Sequence, residues 1–256
     1  MTWSASQYVQ FEDERTRPVR DLVGAIPTRD ARRVIDIGCG PGNSTEVLAA
    51  RYPDAQVTGV DSDADMVAAA RKRLAQIDFQ LADVTAWNDP GPYDVILANA
   101  VFQWVPDHAT LLPSLVGKLA PGGSLAVQMP DNLNEPPHLL MRETAMNGPW
   151  SAKLAAAAEA RTPLAPERWY YELLKPLCSR VDIWRTIYQH PLQGGPAAVV
   201  EWFKGSGLRP FLAPLDDAGR AEYLRQYEAA LAKVFPPLPD GTVLLPFPRV
   251  FLVATR

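Results

Sequence analysis

The sequence predicts an α/β protein with a doubly wound, mostly parallel sheet and helices on both faces. From residue 33 to about residue 129, short apolar runs alternate with helical patterns, which is typical of repeated strand-helix-strand units. The 256 residues suffice for one large domain or a domain with an addition. Hydrophobic residues make up 47% and charged residues 21% of the chain, so neither disorder nor a fibrous repeat is expected.

Five strands are predicted in this first half, each with Val, Ile, Leu or Phe at its centre. They cover residues 34–37, 57–60, 79–81, 94–98 and 124–128. Good helix formers fill residues 43–51, 64–74 and 108–119, and we predict N-caps at Ser44, Asp63 and Asp107.

The second half is less regular, since 12 of the 25 prolines follow residue 150. Residues 131–177 are predicted to form a mostly helical insertion that acts as a lid, with one helix at 153–160. A strand at 181–188, a long amphipathic helix within 213–235 and a final strand at 250–255 follow. We therefore divide the chain into a core at 1–130, a lid at 131–178, and residues 179–256, which complete the core domain.

Several classes of protein are disfavoured. The net charge of −4 gives no basic stripe for nucleic acid, and no apolar window reaches the length of a membrane span. The N-terminus lacks the pattern of a signal peptide, so a cytoplasmic location is expected. A monomer is expected as well. Cys39 and Cys178 are too few for a disulfide framework, and the three histidines lack metal-ligand spacing, so no metal is expected.

The most informative segment is the strand that breaks into glycines before a helix, with the sequence Asp36-Ile37-Gly38-Cys39-Gly40-Pro41-Gly42-Asn43. Glycines at such a turn let the backbone approach a ligand closely. Asn43 occupies the third glycine position of a dinucleotide fingerprint, and the Gly-Lys-Ser/Thr of a phosphate loop is absent. The pattern instead puts the Asp36 carboxylate beside the turn, where it favours a cationic ligand group.

Two further aspartates end the next predicted strands. Asp61 stands where open α/β sheets hold a ribose through its two hydroxyls, a device that nicotinamide cofactors share. The segment after it is not a calcium loop, because Met66 and Lys72 replace the required Gly and Glu. Asp83 with Val84 could bind an adenine edge, or Asp83 could simply form a turn.

This series of residues resembles the Rossmann-like S-adenosylmethionine-dependent methyltransferases. The resemblance is carried by Asp36 and the glycines, Asp61, Asp83-Val84, Asn99, and the Leu119-Ala120-Pro121-Gly122-Gly123 turn. It implies a Rossmann-like sheet with an antiparallel last strand and S-adenosylmethionine as the cofactor, with S-adenosylhomocysteine as its product. The cofactor-binding residues that it implies are Asp36, Gly38, Cys39, Gly40, Asn43, Asp61, Ser62, Met66, Asp83, Val84, Asn99, Ala100 and Trp104.

Beyond the core, three segments resemble the trans-aconitate 2-methyltransferase family: Met129-Pro130-Asp131-Asn132 with Glu135-Pro136 and Met141-Arg142-Glu143, Val181 to Thr186, and Leu245-Pro246-Phe247-Pro248-Arg249. The similarity covers nearly the whole chain and implies methyl transfer to a carboxylate of trans-aconitate or a close small polycarboxylic acid. The alternatives are methyl transfer to another small acid or a hydroxyl compound, a nicotinamide-dependent oxidoreductase, and a non-catalytic nucleotide-binding module. Asn99-Ala100-Val101-Phe102-Gln103-Trp104 departs from the Asn/Asp-Pro-Pro-aromatic pattern of enzymes that methylate nucleic-acid amines.

The implied chemistry needs no general base, because a carboxylate is already ionised at pH 7. The expected acceptor ligands are guanidinium groups, tyrosine hydroxyls and the side chains after the fourth strand: Gln103, Trp104, Arg142, Tyr170, Tyr171, Arg185, Tyr188 and Arg249. Each arginine could instead be a surface charge or part of an ion pair. His108 would act as a base only toward a hydroxyl acceptor. The N-terminal Trp3, Tyr8 and Phe11 either cover the cofactor or pack on the core.

Overall fold

The computed structural model describes residues 12–159 and 162–256 of the chain. The N-terminal Trp3, Tyr8 and Phe11, predicted either to cover the cofactor or to pack on the core, lie outside the described residues. Seven strands form one sheet in the order β3-β2-β1-β4-β5-β7-β6. The strands are β1 (Arg33–Ile37), β2 (Gln56–Asp61), β3 (Asp78–Leu81), β4 (Tyr93–Asn99), β5 (Leu119–Pro130), β6 (Arg180–Gln193) and β7 (Thr242–Thr255).

Helices flank this sheet, as the sequence predicts for a doubly wound α/β fold. The described helices of the chain are α1 (Glu12–Gly24), α2 (Asn43–Arg51), α3 (Ala64–Arg73), α4 (His108–Gly117), α5 (Pro136–Asn147), α6 (Ser151–Ala158), α7 (Glu167–Leu174), α8 (Pro196–Lys204), α9 (Arg209–Leu212) and α10 (Asp217–Val234). None of these described helices combines the length and apolarity needed to cross a membrane.

The parallel strands bring three chain segments to one edge of the sheet. β1 pairs in parallel with β2 and with β4, and Ile37 lies opposite both Val60 and Ala98. Their side chains are buried, since Val60, Ile37 and Ala98 are at most 1% exposed. The residues that follow these strands therefore meet at the carboxyl edge, where open α/β sheets bind ligands. The last strands of the sheet are antiparallel, as expected.

Asp63 and Asp107 cap α3 and α4 as predicted, by accepting backbone N–H groups of the first turn. The predicted cap at Ser44 is wrong. Gly42, in the left-handed conformation, precedes α2 instead, and the Ser44 hydroxyl donates elsewhere. α4 ends at Gly117, two residues before the predicted end, because Leu119 pairs with Tyr93 in the sheet.

The chain folds into two compact units. Of the described residues, one unit contains 12–130, 165–186 and 250–256, and the other contains 131–159, 162–164 and 187–249. In the second unit α10 packs on α5 and α8. The buried hydroxyls of Tyr223 and Tyr227 donate to the carbonyl oxygens of Met141 and Pro137, at 2.9 and 3.2 Å, which ties α10 to α5. The lid role and the boundaries at residues 130 and 178 stay predictions.

Candidate active site

The turn after β1 requires glycine at its first position. Gly38 has φ +70°, and a Cβ added there would lie 2.5 Å from Cβ of Val101. Gly40 and Gly42 also have positive φ, a conformation that costs other residues steric energy. The N–H groups of Gly38 and Cys39 both donate to the carbonyl oxygen of Val60, at 2.8 and 3.0 Å. This fixes the turn against the end of β2.

The Asp36 side chain lies fully buried beneath this turn. Its Oδ2 accepts hydrogen bonds from the hydroxyls of Ser44 and Thr45, both at 2.7 Å. Burial raises the pKa of Asp36 to about 7, against the lowering effect of the two hydroxyls, and repulsion from Asp61 adds to the rise. The sequence predicts a carboxylate beside the turn that favours a cationic ligand group, and this role stays a prediction. Burial makes the charged form of Asp36 less favourable than it is in water.

Asp61 joins the end of β2 to the glycine turn. Its Oδ2 accepts the N–H of Gly40 at 2.9 Å, and its Oδ1 accepts the N–H of Asp63 at 2.9 Å. Burial raises the pKa of Asp61, and these N–H groups partly oppose the rise. Beside it, Ser62 is exposed and Met66 is buried on α3. Asp61 therefore holds the loop in addition to any ligand role.

Asp83 occupies an exposed turn after β3. Its Oδ1 accepts hydrogen bonds from the N–H and the hydroxyl of Thr85, at 2.9 and 2.8 Å, and these bonds lower the pKa of Asp83. The turn-forming role that the sequence left open is therefore present. Val84 is half-buried. A role for these two residues in binding adenine stays a prediction.

The segment after β4 turns sharply back. Ala100 has φ +56° although it is not glycine, and its N–H donates to the carbonyl oxygen of Gln128 at 2.8 Å. A single 3-10 turn, Phe102–Trp104, follows. Within this turn the Gln103 Nε2 donates to the carbonyl oxygen of Ala100 at 2.7 Å, and Trp104 is 40% exposed.

A cleft in the first unit brings many of the predicted cofactor residues together. Its lining includes Gly38, Cys39, Gly40, Asn43 and Asn99, all of which the sequence singles out. Sequence reasoning missed the other lining residues, namely Thr16, Val19, Pro41 and Ser44. Thr16 and Val19 come from α1, and no pattern in the sequence indicates that this helix reaches the glycine turn.

Several buried oxygen atoms in this unit have no hydrogen-bond partner among residues 12–159 and 162–256. Among them are Oδ1 of Asp36, Oδ1 of Asn99 and Oε1 of Gln103. The Gln103 amide cannot be turned around, because the Ala100 carbonyl that its nitrogen contacts can only accept. Buried polar groups are normally satisfied, so these oxygens indicate a ligand that brings N–H or O–H donors.

The predicted acceptor ligands of the first unit have defined partners. The Tyr170 hydroxyl lies 2.9 Å from Nδ1 of His108, whereas Tyr171 is exposed. Arg185 forms an exposed ion pair with Glu167 at 3.2 Å, which is one of the alternatives that the sequence left open for it. Both nitrogens of His108 are engaged, since Nε2 lies 2.9 Å from the carbonyl oxygen of Phe102.

The remaining predicted acceptor ligands belong to the second unit. The Arg142 guanidinium donates to the carbonyl oxygen of Leu133 at 2.8 Å. Tyr188 is buried. Arg249 is only 4% exposed, and its guanidinium carbon lies 4.8 Å from the centre of the Phe247 ring. In the described part of the chain, no group of three or more His, Cys, Asp and Glu residues could hold a metal ion.

Known proteins of similar structure share the fold. The YcgJ protein of Bacillus subtilis superimposes with a TM-score of 0.62 at 12% identity, over 94% of this chain and 98% of that one. Phosphoethanolamine N-methyltransferase 2 of Haemonchus contortus, solved with S-adenosylhomocysteine, gives a TM-score of 0.56 at 17% identity, over 93% of this chain and 52% of that one. At such identities the likeness establishes the Rossmann-like fold alone.

Sequence relatives are much closer. Residues 34–123 match the family model of a methyltransferase domain. A trans-aconitate 2-methyltransferase of Rhodopseudomonas palustris is 56% identical over 99% of both chains, and one of Rhizobium etli is 52% identical over the whole of both. The chain therefore belongs to the trans-aconitate 2-methyltransferases, a family of S-adenosylmethionine-dependent enzymes.

Proposed function

We propose that this enzyme transfers the methyl group of S-adenosylmethionine to a carboxylate oxygen of trans-aconitate or a closely similar acid. The products are a monomethyl ester and S-adenosylhomocysteine. The names of the close relatives support the acceptor. The unpartnered buried oxygens of Asp36, two residues before Gly38, and of Asn99, which lines the cleft with Gly38, carry the proposal on the structural side.

The residues present fit this cofactor better than a diphosphate. The cofactor has an α-ammonium group with three N–H donors, and the oxygens of Asp36 and Asn99 are acceptors that lack donors. An ionised phosphate would offer these oxygens only further lone pairs. A bound cation would also favour the charged form of Asp36, whose pKa lies near 7. The sulfonium of the cofactor supplies the electrophilic methyl group.

The Asp61 carboxylate can accept further hydrogen bonds, which makes it available to the ribose. An ionised carboxylate offers about four lone-pair sites, and the N–H groups of Gly40 and Asp63 occupy one on each oxygen. Two ribose hydroxyls can use the remainder. We propose that Cys39, Asn43 and Ala100 contact the methionine portion, that Ser62 and Met66 lie along the ribose, and that Asp83 and Val84 bind the adenine.

The acceptor carboxylate acts as the nucleophile without help from a base. Carboxylates have pKa values near 4 and are ionised at pH 7. The rate must then come from alignment of the oxygen with the methyl group and from removal of water from the nucleophile. The exposed Trp104 can shield the reacting atoms from solvent. Gln103 uses one amide N–H on the Ala100 carbonyl, which leaves the second N–H for an acceptor carboxylate.

Among the three arginines, Arg249 is the strongest proposed ligand for the acceptor's other carboxylates. It is buried, and a guanidinium binds a carboxylate more strongly where water is excluded. Arg185 is exposed and already pairs with Glu167, so its charge is more screened. Arg142, whose guanidinium holds the Leu133 carbonyl, stays a second candidate. Tyr171 and Tyr188 stay candidate hydroxyl donors.

A methyl-transfer assay with labelled cofactor tests the proposal. The purified enzyme is incubated with trans-aconitate, cis-aconitate, citrate and succinate in turn, and the product is treated with mild alkali. We expect alkali-labile label on trans-aconitate and little on citrate or succinate. Asp61→Ala serves as the control of impaired cofactor binding. Alkali-stable label on the citrate hydroxyl, with no alkali-labile label on any of the four acids, would refute carboxyl transfer.

A further inference from the structure

We infer that His108 is a positioning residue. It holds the 3-10 turn that carries Gln103 and Trp104 in the position that acceptor binding requires. This inference rests on the proposed function. The His108 Nε2 lies 2.9 Å from the carbonyl oxygen of Phe102, and a carbonyl can only accept, so Nε2 carries the proton. In the neutral ring Nδ1 then accepts from the Tyr170 hydroxyl at 2.9 Å.

Both partners of the imidazole lie in the core. Phe102 is fully buried and Tyr170 is 1% exposed, whereas His108 itself is half-buried. The His108 ring also lies near both, with its centroid 6.4 Å from that of the Phe102 ring and 5.8 Å from that of the Tyr170 ring. Hydrogen bonds in such surroundings are strengthened by the low dielectric. The link joins the 3-10 turn to α7, which carries Tyr170.

The backbone on both sides of the 3-10 turn is strained, so it requires contacts such as the hydrogen bonds of His108 to hold it. Ala100 and Asp107 are the two non-glycine residues with positive φ in the described part of the chain, at +56° and +58°, and they lie on either side of the turn. Strained backbone persists only where its surroundings fix it, and it is often found at functional sites. Asp107 accepts the N–H of Thr110 and so fixes the start of α4, where His108 is the first residue.

Loss of this link is expected to impair acceptor alignment while cofactor binding persists. The glycine turn and Asp61 are held by their own hydrogen bonds to Val60 and Gly40, which do not involve His108. Misplacement of a reacting group by about 1 Å can lower a rate roughly 100-fold. The imidazole is proposed to act through the turn and not on the reacting atoms.

Four variants test the inference: His108→Ala, His108→Gln, Tyr170→Phe and, as a control, Tyr52→Phe. The control removes a comparable hydroxyl, which donates to the Thr28 carbonyl at 2.8 Å. We expect His108→Ala to lower kcat for trans-aconitate about 10- to 100-fold, with affinity for S-adenosylhomocysteine within about 3-fold of the wild type. His108→Gln keeps a donor for the Phe102 carbonyl and should recover most of the loss. Tyr170→Phe should show a smaller loss, and Tyr52→Phe none.

Equal losses in His108→Ala and His108→Gln, or wild-type kcat in His108→Ala, would overturn the inference. Amide hydrogen exchange provides a second readout that does not depend on the acceptor. In His108→Ala we expect faster exchange in residues 100–107 and unchanged exchange in residues 38–45. Faster exchange in both segments would indicate general destabilisation and would also overturn the inference. If the wild type does not methylate trans-aconitate, the proposed function fails, whereas the exchange experiment still decides the role of His108.

Discussion

The Asp61 carboxylate accepts the backbone N–H of Gly40 at 2.9 Å, so the residue proposed to bind the ribose also holds the turn proposed to contact the methionine portion. Its second oxygen accepts the N–H of Asp63, the residue that caps α3. One side chain therefore links the ends of β1 and β2 to the start of a helix. A substitution at Asp61 should affect the whole cofactor region.

We predict that Asp61→Ala weakens the binding of S-adenosylhomocysteine by roughly 1.5 to 3 kcal/mol, the contribution of a hydrogen bond to a charged group. Asp61→Asn keeps one acceptor oxygen for the Gly40 N–H and should lose less. Titration calorimetry on both variants measures the difference. Unchanged affinity in Asp61→Ala would remove Asp61 from the ribose site.

Substitution of Gly38 should destabilise the protein. In Gly38→Ala the new methyl group meets the Val101 side chain at 2.5 Å, and φ +70° is unfavourable for alanine. The expected cost is roughly 2 to 5 kcal/mol from strain and overpacking together. Gly24→Ala is the matched control, because nothing lies within 4 Å of a Cβ there. Denaturant unfolding should show a lower midpoint for Gly38→Ala than for the control, and equal midpoints would contradict this account of the turn.

Burial of Asp36 should make stability depend on pH. Its pKa is about 7 in the folded state and near 3.8 in the unfolded state, so between these values the folded protein binds more protons. The contribution of Asp36 to the free energy of unfolding is fully present below pH 3.8 and is lost as the pH rises through 7. The total loss is roughly 1.4 kcal/mol for each unit by which the folded and unfolded pKa values differ. The free energy of unfolding of the wild type should therefore fall relative to that of Asp36→Asn between pH 5 and pH 8. A constant difference in unfolding free energy over this range would exclude the raised pKa.

The three arginines should be separable by kinetics. We expect Arg249→Ala to raise the KM for trans-aconitate at least 10-fold with little effect on cofactor affinity, as loss of acceptor binding predicts. Glu167→Gln breaks the ion pair of Arg185 without removing its guanidinium, so it is the control for Arg185→Ala. If Arg185 only forms a surface ion pair, both changes will leave KM unaltered. Wild-type KM in Arg142→Ala, Arg185→Ala and Arg249→Ala alike would refute guanidinium recognition of the acceptor.

The sequence predicts the core of the sheet well, because strands β1 to β5 are short apolar runs with glycine or aspartate nearby. It predicts β7 only from residue 250, although the strand begins at Thr242. Pro246 and Pro248 interrupt the apolar run there, and proline within a run normally argues against a strand. β6 extends beyond residue 188 for a similar reason, since it contains Pro191.

The candidate site is predictable where a local pattern encodes it. The glycines, Asp61 and Asn99 follow strands whose carboxyl ends must meet, so their proximity follows from the fold. The protonation state of Asp36 cannot be predicted from the local pattern, because its pKa depends on burial and on the hydroxyls of Ser44 and Thr45. The link from His108 to Tyr170 joins residues 62 positions apart, and no spacing rule connects them.

The central claim is that unpartnered buried oxygens beside the glycine turn select a cofactor with a cationic amino group. Titration calorimetry with S-adenosylhomocysteine, 5′-methylthioadenosine and NAD tests it most directly, because methylthioadenosine keeps the adenosine and the thioether but lacks the amino-acid part with its ammonium and carboxylate. We predict saturable heat with S-adenosylhomocysteine, binding at least 10-fold weaker with methylthioadenosine, and no heat with NAD. Equal affinity for the first two ligands, or tight binding of NAD with no response to S-adenosylhomocysteine, would contradict the claim.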